Sequence, residues 1–286
     1  MSKRKAECEP EVEGGREDAG VALVTGAAGA IGTACVQRLL GKLGFSTVIA
    51  CDARLQKSDV FADNSAVIEV PGVGTNFEEA DLKEHLQPVL DGLERPLTAV
   101  ICISGGNAPG IQNVAYPEPG ATPLDLFRAQ YKFNFLSTVN VINMCMPLIK
   151  AAGGNIVLAS SVNAITGIGE VAYSTCKAAL HPYATNLACY YGKYGVTANA
   201  VALGTVHSPN IWNAALSKDA DILKKIGNRN PRGKVGSPED AAGTVCFLAS
   251  AESKLINGQV IVADGGWTKA AGTVNTAGAE GRNWFD

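Results

Sequence analysis

The sequence predicts an α/β fold, one doubly wound parallel sheet of about seven strands with helices on both faces, in a single domain. Three observations predict it. Short β-branched runs alternate with segments of helical period along most of the chain, the order that builds a parallel sheet with crossover helices. Several of those runs, such as "VALVTG", "NIVLAS" and "TANAVAL", are continuously apolar rather than alternating, as strands covered on both faces are. The 286 residues, 47% hydrophobic and 18% charged, are also enough to bury a large core.

Each element follows in order. Residues 1–20 are polar and charged without a hydrophobic period and are expected to form a mobile leader. "VALVTG" ends in glycine and reads as the first strand. "GTACVQRLLGKLG" sets Ala34, Leu39 and Leu43 at helical spacing. "STVIACD" and "AVIEV" are the second and third strands. "TNFEEADLKEHLQPVL" reads as a helix with a polar cap and an acidic first turn, and "LTAVICIS" is the fourth strand. A Gly/Pro-rich loop over 105–121 leads to Thr122-Pro123, a cap followed by proline at the first helical position, and a long helix runs towards Lys150.

"NIVLAS" is the fifth strand, a long helix covers about 172–193, and "TANAVAL" is the sixth strand. Residues 204–236 are irregular. Ser237-Pro238-Glu239-Asp240 opens a capped helix with its acidic residue at the third helical position, and "QVIVADGG" is the seventh strand. The domain is expected to span 21–270, with a tail over 271–286.

Composition narrows the function. Net charge is -3 and no basic stripe occurs, so no nucleic-acid partner is expected. The sequence reading finds no apolar run long enough to span a membrane and no signal segment, so a soluble, cytoplasmic protein is expected. Eight cysteines lie scattered without a Cys-x-x-Cys, and His85, His181 and His207 have no metal-ligand spacing. Buried reduced thiols and no metal site are expected.

"VTGAAGAIG" follows the first strand and opens the first helix, where a dinucleotide pyrophosphate would sit. Gly26 permits the tight turn, Gly29 lets backbone approach a phosphate, and Gly32 lets the helix lie close to the strand. Asp52, at the end of the second strand, can accept hydrogen bonds from both ribose hydroxyls and repels a 2′-phosphate. Arg54 stands nearby and can serve a 2′-phosphate. NAD is preferred on balance, NADP less so.

"AYSTCKAAL" places Tyr173 and Lys177 four residues apart, on one helix face. An ammonium beside a phenol favours the phenolate and brings its pKa towards working pH, which makes tyrosine a usable acid/base. Moving a hydride from a carbinol needs such a group for the alcohol proton, and a donor for the oxygen. Ser160 or Ser161, at the end of the fifth strand, can supply that hydroxyl.

In this order the motifs resemble the short-chain dehydrogenase/reductase family, from Val21 to about Gly266. Its fold is of the Rossmann type, as the strand and helix order already suggests. The family's Thr-Gly-x-x-x-Gly-x-Gly reads "TGAAGAIG", with Ala30 at the middle glycine. Its Asn-Asn-Ala-Gly reads "ISGG", without the asparagines, and Ser104 takes over part of their bonding. The resemblance implies cofactor contacts at Gly26, Gly29, Ile31, Gly32, Asp52, Ser104, Gly105, Tyr173, Lys177 and Val206. It implies that Tyr173 is the acid/base, that Lys177 lowers its pKa and bonds the nicotinamide ribose, and that Asn134 carries a proton relay. "IVLASSVNAITG" matches the family's serine segment. Ser161 fits the local motif best and Ser160 the commoner spacing to the tyrosine; Ser161 is preferred.

The implied activity is the NAD(P)-dependent interconversion of a secondary alcohol and a ketone. A dinucleotide-binding sensor or scaffold of the same fold is the alternative, motivated by the lost asparagines and by Leu203 at the family's proline. Substrate contacts are expected from 105–121 and 204–236, where Ile211, Trp212 and Leu216 favour a neutral, moderately apolar alcohol or ketone. Family members commonly assemble through their two long helices, so a homodimer or homotetramer is expected, with Phe127, Tyr131 and Phe135 on the candidate faces. Trp284 and Phe285 in the tail are candidates for docking on a neighbouring subunit.

Overall fold

Seven strands among the described residues form one parallel sheet: β1 Val21–Thr25, β2 Thr47–Cys51, β3 Val67–Val70, β4 Leu97–Cys102, β5 Asn155–Ser161, β6 Thr197–Leu203 and β7 Val260–Ala263. Their order across the sheet is β3-β2-β1-β4-β5-β6-β7, and every pairing is parallel. The structure, a computed structural model, describes residues 20–57, 60–61, 64–73, 76–106, 123–208 and 219–270. The expected leader and tail lie outside these residues, as do Thr122, most of the loop over 105–121, and Ile211, Trp212 and Leu216.

The continuously apolar strands are buried on both faces, as their composition requires. Along β1, Val21 and Leu23 face one core while Ala22 and Val24 face the other. The first core is covered by three helices. One, α2, begins as Glu79–Asp81, widens through a π segment at Leu82–Leu86 and ends as Gln87–Asp91. The second is α3, Pro123–Ala152, and the third is α4, Val171–Tyr191. The second core lies beneath α1, Ala30–Lys42, and α5, Pro238–Leu248. Small residues line this side (Ala22, Ala50, Ala99, Ala159, Ala241 and Ala242), so these two helices lie close against the sheet.

One expectation needs correcting. By length and composition, α3 is long and apolar enough to cross a membrane. Its apolar stripe serves the core instead: Val141, Ile142, Cys145 and Ile149 are buried together with strand residues Val100, Ile156 and Leu158. No unbroken apolar run marks this helix in the sequence, because Asn and Lys are mixed into an apolar whole.

Other details match the sequence closely. Ser237 and Asp240 form a reciprocal capping box at the start of α5, through Asp240 N–H to Ser237 Oγ at 3.1 Å and Ser237 N–H to Asp240 Oδ2 at 3.0 Å. Buried amides fasten the far strands. Asn155 donates to Ala249 C=O at 2.9 Å and accepts from Thr197 Oγ1 at 2.9 Å. Strand order reverses direction between β1 and β4, and this switch point at the carboxyl ends of the strands is where such a sheet opens a binding crevice.

Candidate active site

The crevice begins at the glycine turn. Gly26 adopts φ +68°, and a Cβ on Gly32 would strike the Gly26 carbonyl, so α1 can start this close to β1 only with glycine there. The N-terminus of α1 has no side-chain cap and no acidic residue in its first turn. It is thus open to an anion, with half-buried Ile31 in that turn.

Asp52 is buried at the end of β2, and its carboxylate is fully engaged. One oxygen accepts from Arg54 N–H at 2.9 Å and from Arg54 Nε at 3.0 Å. The other accepts from Ala28 N–H at 3.1 Å and Arg54 Nη2 at 2.7 Å. Arg54, two residues on, folds back over the carboxylate. The same guanidinium stands 3.2 Å from where a Cβ on Gly29 would be. The hydrogen bond to Asp52, with the attraction of its charge, holds the Arg54 pKa above its ordinary value against burial, which lowers it.

The second wall is α4. Glu170 caps it, one carboxylate oxygen accepting from Ala172 N–H at 2.6 Å and the other from Tyr173 N–H at 2.7 Å. Tyr173 and Lys177 then fall on one face, as their spacing requires. Lys177 is 3% exposed and donates from Nζ to the Ala159 carbonyl of β5 at 2.8 Å. Burial pushes its pKa down to about 8, against the opposing pull of Cys102 and Cys176. Tyr173 is half-buried, and burial raises its pKa more than the Ser161 hydroxyl lowers it. In this structure Lys177 Nζ is turned to the Ala159 carbonyl, and the Ser161 hydroxyl opposes the rise of the phenol pKa.

The two candidate serines part company. Ser161 Oγ accepts from Asn163 N–H at 3.2 Å and favours the Tyr173 phenolate. Ser160, buried, donates to the Lys177 carbonyl at 3.0 Å and lies 2.8 Å from His181 Nε2. Its hydroxyl therefore ties β5 to α4 rather than meeting Tyr173.

Between the two walls runs the turn after β4. Ser104 donates its backbone N–H to Thr25 Oγ1 at 3.2 Å, which ties the turn to the end of β1. Gly105 has φ +147°, and a Cβ there would strike Lys177 Nζ and stand 2.8 Å from Asn134 Oδ1. Asn134 lies buried in the π segment Lys132–Leu136 of α3. Its side chain grips the Gly106 peptide, accepting from N–H at 2.8 Å and donating to C=O at 2.9 Å. Val206 pairs with Gly236 on the far rim, where His207 N–H reaches Gly236 C=O at 2.8 Å.

The structure thus gathers Gly26, Gly29, Ile31, Gly32 and Asp52 on one wall, and Ser161, Tyr173, Lys177, Gly105 and Asn134 on the other. Sequence reasoning missed Glu170, Gln130 and His181. Glutamate is an uncommon cap, so the usual capping residues do not point to it. Gln130 and His181 are each four residues from a predicted residue, Asn134 and Lys177, which is the available signal.

Comparison with known proteins agrees with this geometry. The pattern of the family described as Enoyl-(Acyl carrier protein) reductase matches residues 108–268. A tropinone reductase homolog of Arabidopsis thaliana is 32% identical over 259 residues, covering 86% of this chain and 90% of its own. A 7alpha-hydroxysteroid dehydrogenase of Bacteroides fragilis is 29% identical over 261 residues, covering 89% and 96%. The crystal structure of an oxidoreductase of the short chain dehydrogenase/reductase family from Burkholderia thailandensis superposes with a TM-score of 0.76 at 30% identity, covering 90% of this chain and 95% of that one. The chain belongs to the short-chain dehydrogenase/reductase family. It is an oxidoreductase of the kind that binds a nicotinamide dinucleotide. The uncapped helix start, the bare glycine turn and the side-chain-free approach at Gly105 fit that group.

Proposed function

We propose that the protein interconverts a secondary alcohol and a ketone, with NAD preferred over NADP. The observation that carries this reading is that β5 ends at Ser161 beside the start of α4, where Tyr173 and buried Lys177 lie one helical turn apart on one face. A bound nicotinamide dinucleotide supplies the hydride acceptor or donor. Tyr173 takes the proton from the alcohol oxygen during oxidation and returns it during reduction. Ser161 donates to the same oxygen and holds it at the phenol. Lys177, in its ammonium form, stabilises the phenolate and bonds the nicotinamide ribose. Asn134 holds the Gly105–Gly106 turn behind it and carries the relay. Ser160 supports the site through His181 and the Lys177 carbonyl.

Asp52 supports the NAD preference, since a carboxylate repels a 2′-phosphate. The names of the relatives support ketone or hydroxysteroid chemistry, and a neutral, moderately apolar substrate accords with exposed Ile165, Ile168 and Val171 just before Tyr173. The reading includes a reducing, cytoplasmic setting, supported by the buried thiols Cys35, Cys51, Cys102, Cys145, Cys176 and Cys246. It also includes a homodimer or homotetramer, supported by exposed Phe127 and Tyr131 on α3.

The test is a panel of secondary alcohols and ketones run with NAD(H) and NADP(H) side by side. Turnover is expected, with Tyr173→Phe lowering kcat about a thousandfold while coenzyme binding is kept. Ser161→Ala is expected to lower kcat more than Ser160→Ala does. No turnover of any panel member with either coenzyme would overturn the proposal.

A further inference from the structure

We infer that Gln130 is a positioning residue, which fixes Asn134 and through it the Gly105–Gly106 turn that walls in Lys177. Its catalytic consequence rests on the oxidoreductase reading above; its structural part does not. The argument starts from a peptide. Gly106 presents both its N–H and its C=O to Asn134, at 2.8 and 2.9 Å. Only one orientation of the amide answers both, with Oδ1 towards the N–H and Nδ2 towards the carbonyl. The second hydrogen of Nδ2 then goes to Gln130 Oε1, at 2.6 Å. That contact in turn fixes Gln130, because only its oxygen can accept.

The orientation leaves Gln130 Nε2 with no partner among the described residues, although the side chain is 0% exposed. A buried donor left unmet destabilises a fold, and a methionine of similar size would avoid that cost. What the amide supplies is its oxygen. Asn134 Oδ1 and Lys177 Nζ share the space that a Cβ on the neighbouring Gly105 would fill, so a drift of Asn134 opens room for the lysine to move. Gln130 and Asn134 sit four residues apart across the junction of the α segment Pro123–Tyr131 and the π segment Lys132–Leu136, so the pair also bridges the change of helical pitch.

Gln130→Met tests this. Amide hydrogen exchange at Gly106, followed by NMR, is expected to speed up about tenfold, because Asn134 loses its anchor. The melting temperature is expected to change by no more than a few degrees, since the unmet Gln130 Nε2 is removed while the second hydrogen of Asn134 Nδ2 is left without its acceptor. With turnover as the readout, kcat is expected to fall about tenfold while KM for the alcohol stays within about twofold. Gln130→Glu keeps an oxygen facing Asn134 and is expected to restore Gly106 protection. Unchanged exchange at Gly106 in the methionine variant overturns the inference. So does a larger fall in melting temperature with kcat and KM worsening together, which is the mark of a plain packing role. A parent without turnover, in which Gly106 exchange still responds, supports the assignment of Gln130 and sinks the oxidoreductase reading instead.

Discussion

Lys177 carries the sharpest electrostatic conflict among the described residues: an ammonium cut off from water, donating to the Ala159 carbonyl. Burial moves its pKa from 10.5 to about 8. Below about pH 8 the lysine is charged whether the chain is folded or not, so the fold bears the full cost of burying the charge. Above 10.5 it is neutral in both states and the cost is gone. Stability from this group therefore rises as pH climbs from 8 to 10.5, and it is lost again as pH falls through 8. Lys177→Met removes the charge at every pH. Urea unfolding of the parent and the variant is expected to show a stability difference that moves in the parent's favour by about 3 kcal/mol between pH 7 and 10.5. Taking the difference cancels other groups that titrate in the same range. A difference that does not vary with pH would mean that the ammonium is solvated.

At the scale of elements, the cap of α4 differs from the cap of α5 in what it holds. Ser237 and Asp240 satisfy the first turn of α5, whose buried residues Ala241, Ala242 and Val245 serve the core. Glu170 satisfies Ala172 N–H and Tyr173 N–H, so it fixes the backbone of the proposed acid/base itself. Ser237→Ala and Glu170→Ala are each expected to cost about 1 kcal/mol in urea unfolding. Only Glu170→Ala is expected to lower kcat as well, by about tenfold; equal kcat in the two variants would reduce Glu170 to an ordinary cap. The contrast also marks how far the sequence can be read. Strands were legible because burial on both faces forces β-branched runs, and α5 because serine followed by an acid at the third position has a local meaning. Tyr173 and Lys177 were legible because four residues make one helical turn. The grip of Arg54 on Asp52, the separation of Ser160 from Ser161, and the Gln130–Asn134 pair were not, because each depends on which atoms the fold brings opposite one another. The π segments were hidden for the same reason, since nothing in "KFNFL" or "LKEHL" departs from an ordinary helix.

For the whole molecule, the strand order is what makes one ligand a brace for many elements. Reversal between β1 and β4 sets the start of α1, the end of β2, the turn after β4 and the face of α4 around a single crevice. A coenzyme lying there touches elements from both cores and binds only the folded chain, so it stabilises the whole by mass action. At a hundredfold over its Kd the gain is about 2.7 kcal/mol, which for a chain of this size is roughly a 5 °C rise in melting temperature. The two coenzymes differ at one phosphate, and that phosphate meets Asp52 and Arg54. Because the pair is closed at 2.7 Å, the repulsion of one group and the attraction of the other partly cancel. Asp52 is buried and Arg54 half exposed, so the carboxylate is the fixed member and the guanidinium the movable one. NAD is therefore expected to raise the melting temperature more than NADP at equal concentration. Arg54→Ala is expected to widen that gap, and Asp52→Asn to close or invert it. Equal shifts from both coenzymes in the parent would refute the NAD preference, and a gap that Arg54→Ala leaves untouched would show that the guanidinium never faces the phosphate.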